Sequence, residues 1–428
     1  MLGKIIGTVV TKFSVAITGM LILILNANNL GAEGVGEIAL IILGIAIIQL
    51  LNNFVGGPAL VYLVPKKNLV SLILPSYIWA IISSAMGWPI LYYLKLVSEK
   101  YIIDVVILNL IFSIHSINMF ILLGKEKIKI HNIISLLQNL LLLTFITVFF
   151  YISDLKEVNS YINALYFTFS AILLLSSISI LRCIIKTEIK YSIVSINDIL
   201  RYGTMMQFAN ILQLLTTRLN IYFLDFFSGR AIVGIFSAGN QISEGLLLIG
   251  KSVGMVEYSK ISNLKNLNEA KQIALSLSKF TVLLTFILLI ILTIIPENFY
   301  IYILGERFAH VKLVILTIAV GILSLTLSNV LSHYFSGVGK HYQNTICSGI
   351  GFIFTLTFGL MLIPKIGIAG AGITASISYT ASVIYQLLVF MKINKVVISD
   401  FYFKKADIMN IKSEIERFFN FANQKLKQ

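Results

Sequence analysis

Charge is scarce in this chain. Asp, Glu, Lys and Arg make up 12% of its 428 residues, about half the share of a soluble globular domain. Acids are the scarcer sign, 19 against 33 Lys and Arg, which leaves a formal net charge of +14. Cysteine is nearly absent. Cys183 and Cys347 fall near expected cytoplasmic helix ends and read as reduced packing residues, which excludes a disulfide framework. Enzyme signatures are missing too. There is no Gly-x-x-x-x-Gly-Lys-Ser/Thr phosphate loop and no metal-ligand spacing, so no catalytic residue, cofactor or metal is expected. The five histidines, His115, His131, His310, His333 and His341, are scattered and read as loop or packing residues.

Apolar sequence fills the chain instead: 57% of residues are hydrophobic and the mean hydropathy is +0.91. Runs of about 20 apolar residues, the length that crosses a bilayer, follow one another almost end to end. The expected fold is an all-α integral membrane protein with about twelve transmembrane helices. The spans are placed near 5–25, 35–60, 69–94, 102–123, 132–153, 161–181, 203–227, 231–257, 277–296, 311–335, 342–363 and 369–391. The first run, Ile5 to Leu25, is long for a signal-peptide core and no small-residue cleavage site follows it, so it reads as a retained helix.

On a soluble protein the positive balance would suggest nucleic acid. On a membrane protein it suggests basic cytoplasmic loops. With the N-terminus in the cytoplasm, 22 of the 33 Lys and Arg fall on that side, 7 on the other, and 4 within or at the edge of spans. Without the C-terminal tail the split is still 14 to 7. Both termini are therefore expected in the cytoplasm and no nucleic-acid partner is expected.

The spans divide into two six-helix halves. We delimit an N-terminal half at 1–181, a basic cytoplasmic linker at 182–202, a C-terminal half at 203–391 and a cytoplasmic tail at 392–428. Val35-Gly36 and Val233-Gly234 stand 198 residues apart, each at the start of the second helix of its half. With matching topology this favours a parallel repeat, and transporters commonly bind substrate between such halves. In the tail, Ile408, Ile411, Ile415, Phe418, Phe419, Ala422 and Leu426 recur at spacings of three and four. That is an amphipathic helix with basic flanks, expected on the anionic inner leaflet or against the cytoplasmic loops.

Three segments carry a resemblance. Leu30-Gly31-Ala32-Glu33-Gly34-Val35-Gly36 resembles the Leu-Gly-Pro-Glu-Gly-Tyr-Gly segment after the first helix of polysaccharide repeat-unit (Wzx-type) flippases. These belong to the superfamily that includes the multidrug and toxin extruders. Val233-Gly234-Ile235-Phe236-Ser237-Ala238-Gly239 is similar to that family's Val-Gly-x-Tyr-Ser-Ala-Ala stretch. Leu362-Ile363-Pro364-Lys365-Ile366-Gly367-Ile368-Ala369-Gly370-Ala371-Gly372 is similar to its Leu-Ile-Pro-x-x-Gly-Ile-x-Gly-Ala segment. Ala32 replaces the usual Pro, Phe236 the usual Tyr, and Thr355, Thr357 and Gly359 stand where Asn is common. The resemblance implies a multi-pass protein of the bacterial inner membrane serving O-antigen, lipopolysaccharide, capsule or related polymer synthesis. Its substrate would be an undecaprenyl-diphosphate-linked oligosaccharide, moved from the cytoplasmic to the periplasmic leaflet. Membrane lipids and a glycan polymerase are the implied partners, and a monomer is expected.

Ionisable residues inside spans cost roughly 2.5–3.5 kcal/mol at helix centres and mark cavities or partners. Arg218 lies 13 residues before the turn near Ala231 and Glu244 lies 13 after it, so both sit about 20 Å from that turn at about 1.5 Å per residue. They are expected as a gate or positioning pair. Lys12 and Lys251 share a depth in the inner half and are expected to line a cavity that attracts the diphosphate; the resemblance also implies a basic cavity with first- and eighth-helix residues. Glu244 and Asp225 are the candidate carboxylates for ion coupling. Asp225 and Glu257, near span ends, also read as interfacial charges, and so does Lys279. Two other functions fit less well. A small-molecule or drug exporter would need an enclosed acidic site in one half. A membrane-embedded glycan polymerase or ligase would need a large external loop, and the longest external connection is only about Pro296 to Ala309.

Overall fold

The computed structural model describes residues 2–57, 59–185, 196–261 and 266–402. The amphipathic tail from 403 on, and the middle of the 182–202 linker, lie outside the described residues. The apolar runs form helices throughout, because a backbone in lipid must satisfy its own polar groups. In order they are α1 (Leu2–Gly56), α2 (Ala59–Leu63), α3 (Leu69–Leu94), α4 (Ile102–Gly124), α5 (Ile128–Tyr151), α6 (Val158–Ile184), α7 (Ile196–Ser228), α8 (Arg230–Gly245), α9 (Leu247–Ile261), α10 (Leu267–Ile294), α11 (Glu297–Leu304), α12 (Val311–Gly337) and α13 (Tyr342–Asn394). Among the described residues there is no strand. Within these residues eight helices are long and apolar enough to cross a membrane, or nine with the bent α8–α9 pair taken as one span.

Local chemistry sets the ends. Asn68 caps α3 by accepting from the Val70 amide, and Asn266 caps α10 by accepting from the Asn268 amide. Two long helices each contain a break. In α1 it is Gly31, at φ 69°, and in α13 it is Ile366 and Gly367, the latter at φ 52°. A left-handed φ costs glycine little, so each break falls where the sequence supplies glycine. Both lie inside the motifs quoted above.

The eighth span, expected near 231–257, is bent: it breaks between Gly245 and Leu247 with a bend of 41°. The Pro296–Ala309 connection is folded, holding α11 and a 3-10 turn at Glu306–Phe308.

Helices α1–α6 pack mainly on one another, as do α7–α13. The main contacts between the two groups run from α1 onto α8 and α7, with α2 also on α7. The first group is centred on Leu40, Ile41, Ile48, Leu72, Leu108, Ile121 and Phe150. It also buries a polar ladder. Gln49 Nε2 donates to Asn109 Oδ1 (3.0 Å) and Ser113 Oγ (2.7 Å), Asn109 Nδ2 donates to Ser84 Oγ (2.8 Å), and Tyr77 donates to Asn118 Oδ1 (2.6 Å). His115 Nδ1 lies 3.1 Å from Ser176 Oγ. Without a hydrophobic driving force between helices in lipid, such bonds and close packing hold them together.

Candidate functional site

Between α1 and the α7–α8 hairpin lies a cavity of about 540 Å³ that also touches α5 and Tyr161 of α6. Its lining is largely aliphatic, with polar groups at a few points. On α7, Leu214, Arg218 and Ile221 follow at spacings of four and three and so share the lining face. Arg218 Nη2 and Glu244 Oε2 form an ion pair at 3.1 Å, and Asn240 Nδ2 donates to Glu244 Oε1 at 2.9 Å. Both carboxylate oxygens are thus engaged. The two helices that equal depth put in reach also turn these side chains toward each other. Gln241 Nε2 donates across the seam to the Gly19 carbonyl of α1 at 2.9 Å. Two buried polar atoms lining the cavity have no partner, Asn26 Oδ1 and Ser237 Oγ. Both atoms are acceptors within reach of whatever occupies the cavity.

Toward the N-terminal end of α1 the seam is cationic. Lys12 is half-buried, Lys251 is exposed, and Lys251 is a charge that acts on Lys12. Lys12 in turn acts on His333 of α12. The His333 imidazole occupies the space a Cβ on Gly254 would need, so a bare α-carbon on α9 seats it. His333, one of the histidines expected as loop or packing residues, packs against α9, within electrostatic reach of Lys12.

The other end of the seam, where α1 breaks at Gly31, is closed. Gly31 and Gly229 stand 198 residues apart and share one backbone conformation, φ 69°, ψ −173° and φ 82°, ψ 171°. Gly36 and Gly234, at the same offset, meet across the seam. A Cβ on Gly36 would collide with the Arg230 carbonyl, and one on Gly234 with the Ala32 carbonyl. Each glycine therefore touches the carbonyl four residues before the other, the reciprocity expected at a local two-fold axis. Glycine is required here because the backbones themselves are in contact.

Arg230 ties this closure. Its Nη1 pairs with Glu37 of α1 and donates to Ser98 Oγ at 2.6 Å, while its Nε lies 3.7 Å from Asp225 Oδ1 of α7. Asp225, one of the expected ion-coupling groups, is thus half of an ion pair at this closed end. Neither Arg230 nor Glu37 is singled out from the sequence; the signal near them is the repeated Val-Gly pair, with Glu37 directly after Gly36 and Arg230 four residues before Gly234. Glu257, read from the sequence as a charge near a span end, is fully buried in α9.

No family model matches the chain. It is 23% identical over 206 residues to MJ1068, an uncharacterised membrane protein of Methanocaldococcus jannaschii; the match covers 47% of this chain and 41% of that one, so it spans less than half of the relative's length. Solved structures match far more of it. The lipid II flippase MurJ in an inward-closed conformation superposes with a TM-score of 0.72 at 17% identity, over 92% of this chain and 88% of that one. The Vibrio cholerae MATE transporter VcmN superposes at 0.65 and 14% identity, over 94% and 98%. A MOP-superfamily transporter from Pyrococcus furiosus superposes at 0.63 and 14%, over 92% and 95%. A helical seam that closes on paired glycines, over a cavity between two groups of helices, is thus carried on the MATE and MurJ fold of membrane transporters.

Proposed function

We propose that the chain is a flippase for an undecaprenyl-diphosphate-linked oligosaccharide, moving it from the cytoplasmic to the periplasmic leaflet of a bacterial inner membrane by alternating access. The moving bodies are the halves 1–181 and 203–391, joined by the linker 182–202. If the breaks within α1 and α13 separate spans and α7 also crosses, about twelve spans result, and the charge bias then sets both termini in the cytoplasm. The Gly31 end is then periplasmic and shut, and the Lys12–Lys251 end faces the cytoplasm.

The observation that carries this reading is a cavity between α1 and the α7–α8 hairpin that is closed at its Gly31 end, with Lys12 and Lys251 lying toward the N-terminal end of α1, outside the cavity lining. Lys12 and Lys251 attract the diphosphate. Asn26 and Ser237 offer unfilled hydrogen bonds to sugar hydroxyls, and Arg218–Glu244 positions the headgroup. The chain acts as a monomer, with a glycan polymerase downstream. The second reading is a small-molecule exporter, since the fold is shared with the transporter VcmN.

Deleting the gene in its host and analysing undecaprenyl-linked glycans tests both. Accumulation of a complete lipid-linked unit on the cytoplasmic leaflet is expected, rescued by wild type and not by correctly inserted Lys12→Ala/Lys251→Ala. Rescue by the double variant removes the cationic site and leaves the flippase. Unpolymerised units on the periplasmic side indicate a polymerase, and unchanged lipid-linked glycans indicate the exporter.

A further inference from the structure

Among the described residues, several carboxylates of the apolar helices are engaged. Glu37 and Asp225 pair with Arg230, Glu244 with Arg218 and Asn240, and Asp104 accepts from Tyr166 at 2.9 Å. Glu257 on α9 differs. Its side chain is fully buried, and neither carboxylate oxygen has a hydrogen-bond partner.

We propose that Glu257 is a proton-binding site of the C-terminal helices, protonated in this closed arrangement and deprotonated in another state of the transport cycle. The proposal rests on the transporter fold and not on the identity of the substrate. An ionised carboxylate without a partner in an apolar interior costs more than a fold can sustain, so the group neutralises instead. A metal cation would need several converging oxygens. One turn along α9, Ile261 belongs to an apolar cluster with Ala270 and Ala274 of α10 and Leu331 and Phe335 of α12. A proton needs no such cage.

The groups around it suit that role. From α12 the titratable neighbour is Tyr334, which interacts electrostatically with Glu257. Its hydroxyl donates to Asn394 Oδ1 of α13 at 2.8 Å rather than to the carboxyl. On α10 the charged residues are Glu269, Lys271 and Lys279. Lys271 Nζ donates to the Asn394 carbonyl at 3.5 Å, and neither it nor Lys279 bonds to Glu257. From α1 and α8 the charges are Lys12 and Glu244, neither bonded to it; the Lys260 side chain lies outside the described residues. Lys251, Gly254 and Glu257 follow every three residues along α9, and His333 on Gly254 is the chain neighbour of Tyr334. Lys251 and His333 are thus the titratable groups nearest along α9 and α12 on the side of Lys12, and Tyr334 is the one that acts on the buried carboxyl. An anion held at Lys12 and Lys251 would strengthen the proton's hold on Glu257.

Infrared difference spectroscopy on the full chain in nanodiscs tests this without a substrate. The C=O band of a protonated, slowly deuterating carboxyl is expected at pH 7 and is lost in Glu257→Gln. That variant mimics the neutral acid and keeps the wild-type melting temperature; Glu257→Ala, which leaves a cavity, melts lower. A spectrum at pH 7 unchanged by Glu257→Gln overturns the proposal, and so does a band that appears only when sodium is withdrawn. Complementation then tests the cycle. Glu257→Gln should reduce the rescue of the gene deletion at least tenfold, with Glu257→Asp recovering part of it. Full rescue by Glu257→Gln makes the proton structural and overturns the coupling. Because the spectroscopic arm needs no glycan, its failure is separate from failure of the flippase reading.

Discussion

Gly234→Val should open the closed end of the seam. A Cβ at Gly234 would lie 2.8 Å from the Ala32 carbonyl carbon and 2.9 Å from the Gly36 nitrogen, and nearer still to the Ala32 oxygen. Relieving this to van der Waals distance moves α8 back from α1 by about 1 Å, and the obstacle is backbone, which cannot change rotamer. Overpacking of this kind costs about 1–3 kcal/mol. Valine's two methyl groups put the cost at the upper end, and about 3 kcal/mol against the closed state shifts the closed-to-open ratio roughly 150-fold. The assay is labelling of a single cysteine placed at Asn26 or Ser237, with Cys183 and Cys347 replaced, by a membrane-impermeant maleimide applied from the Gly31 side. The parent should label slowly and Gly234→Val about a hundredfold faster. Gly245→Ala, on the same helix with open space around the new Cβ, should behave as the parent. An unchanged rate in folded, inserted Gly234→Val would refute the idea that the glycine contact is the gate.

Three further outcomes are expected. Arg230→Ala leaves Glu37 and Asp225 without their cation, with the Glu37 side chain only 10% exposed, so the closed end should loosen by roughly 3 kcal/mol; labelling from the Gly31 side should rise, and no rise would mean that Arg230 does not hold the closure. Arg218→Ala should lower thermal stability by about 1–2 kcal/mol, less than a fully buried pair because the two side chains are 37% and 27% exposed; a double-mutant cycle with Glu244→Ala that yields zero coupling would count against the pair. Asn109→Leu removes bonds to Ser84 and Gln49 inside the first helix group and should cost about 1–2 kcal/mol. An unchanged melting temperature in detergent would show that the ladder contributes nothing.

Much of the architecture is legible along the chain. Hydropathy runs place the helices closely, and α3 begins at Leu69 and ends at Leu94 as its apolar run does. The breaks at Gly31 and Gly367 fall in glycine motifs, because a left-handed turn in lipid is cheapest at glycine. Depth also reads out, since a fixed rise per residue puts Arg218 and Glu244 on one level. Other features needed the tertiary structure. Hydropathy treats Glu257 as a charge near the end of an apolar run, and only the packing of α10 and α12 against α9 buries it. The bend after Gly245 has no proline to announce it. Arg230 and Glu37 lie 193 positions apart and become partners only because the repeat folds Gly36 onto Gly234. Depth and length are set by the bilayer and are recorded residue by residue. Rotation about each helix axis, and the choice of neighbour, are set by side chains from distant parts of the chain, and they exist only once the helices have packed.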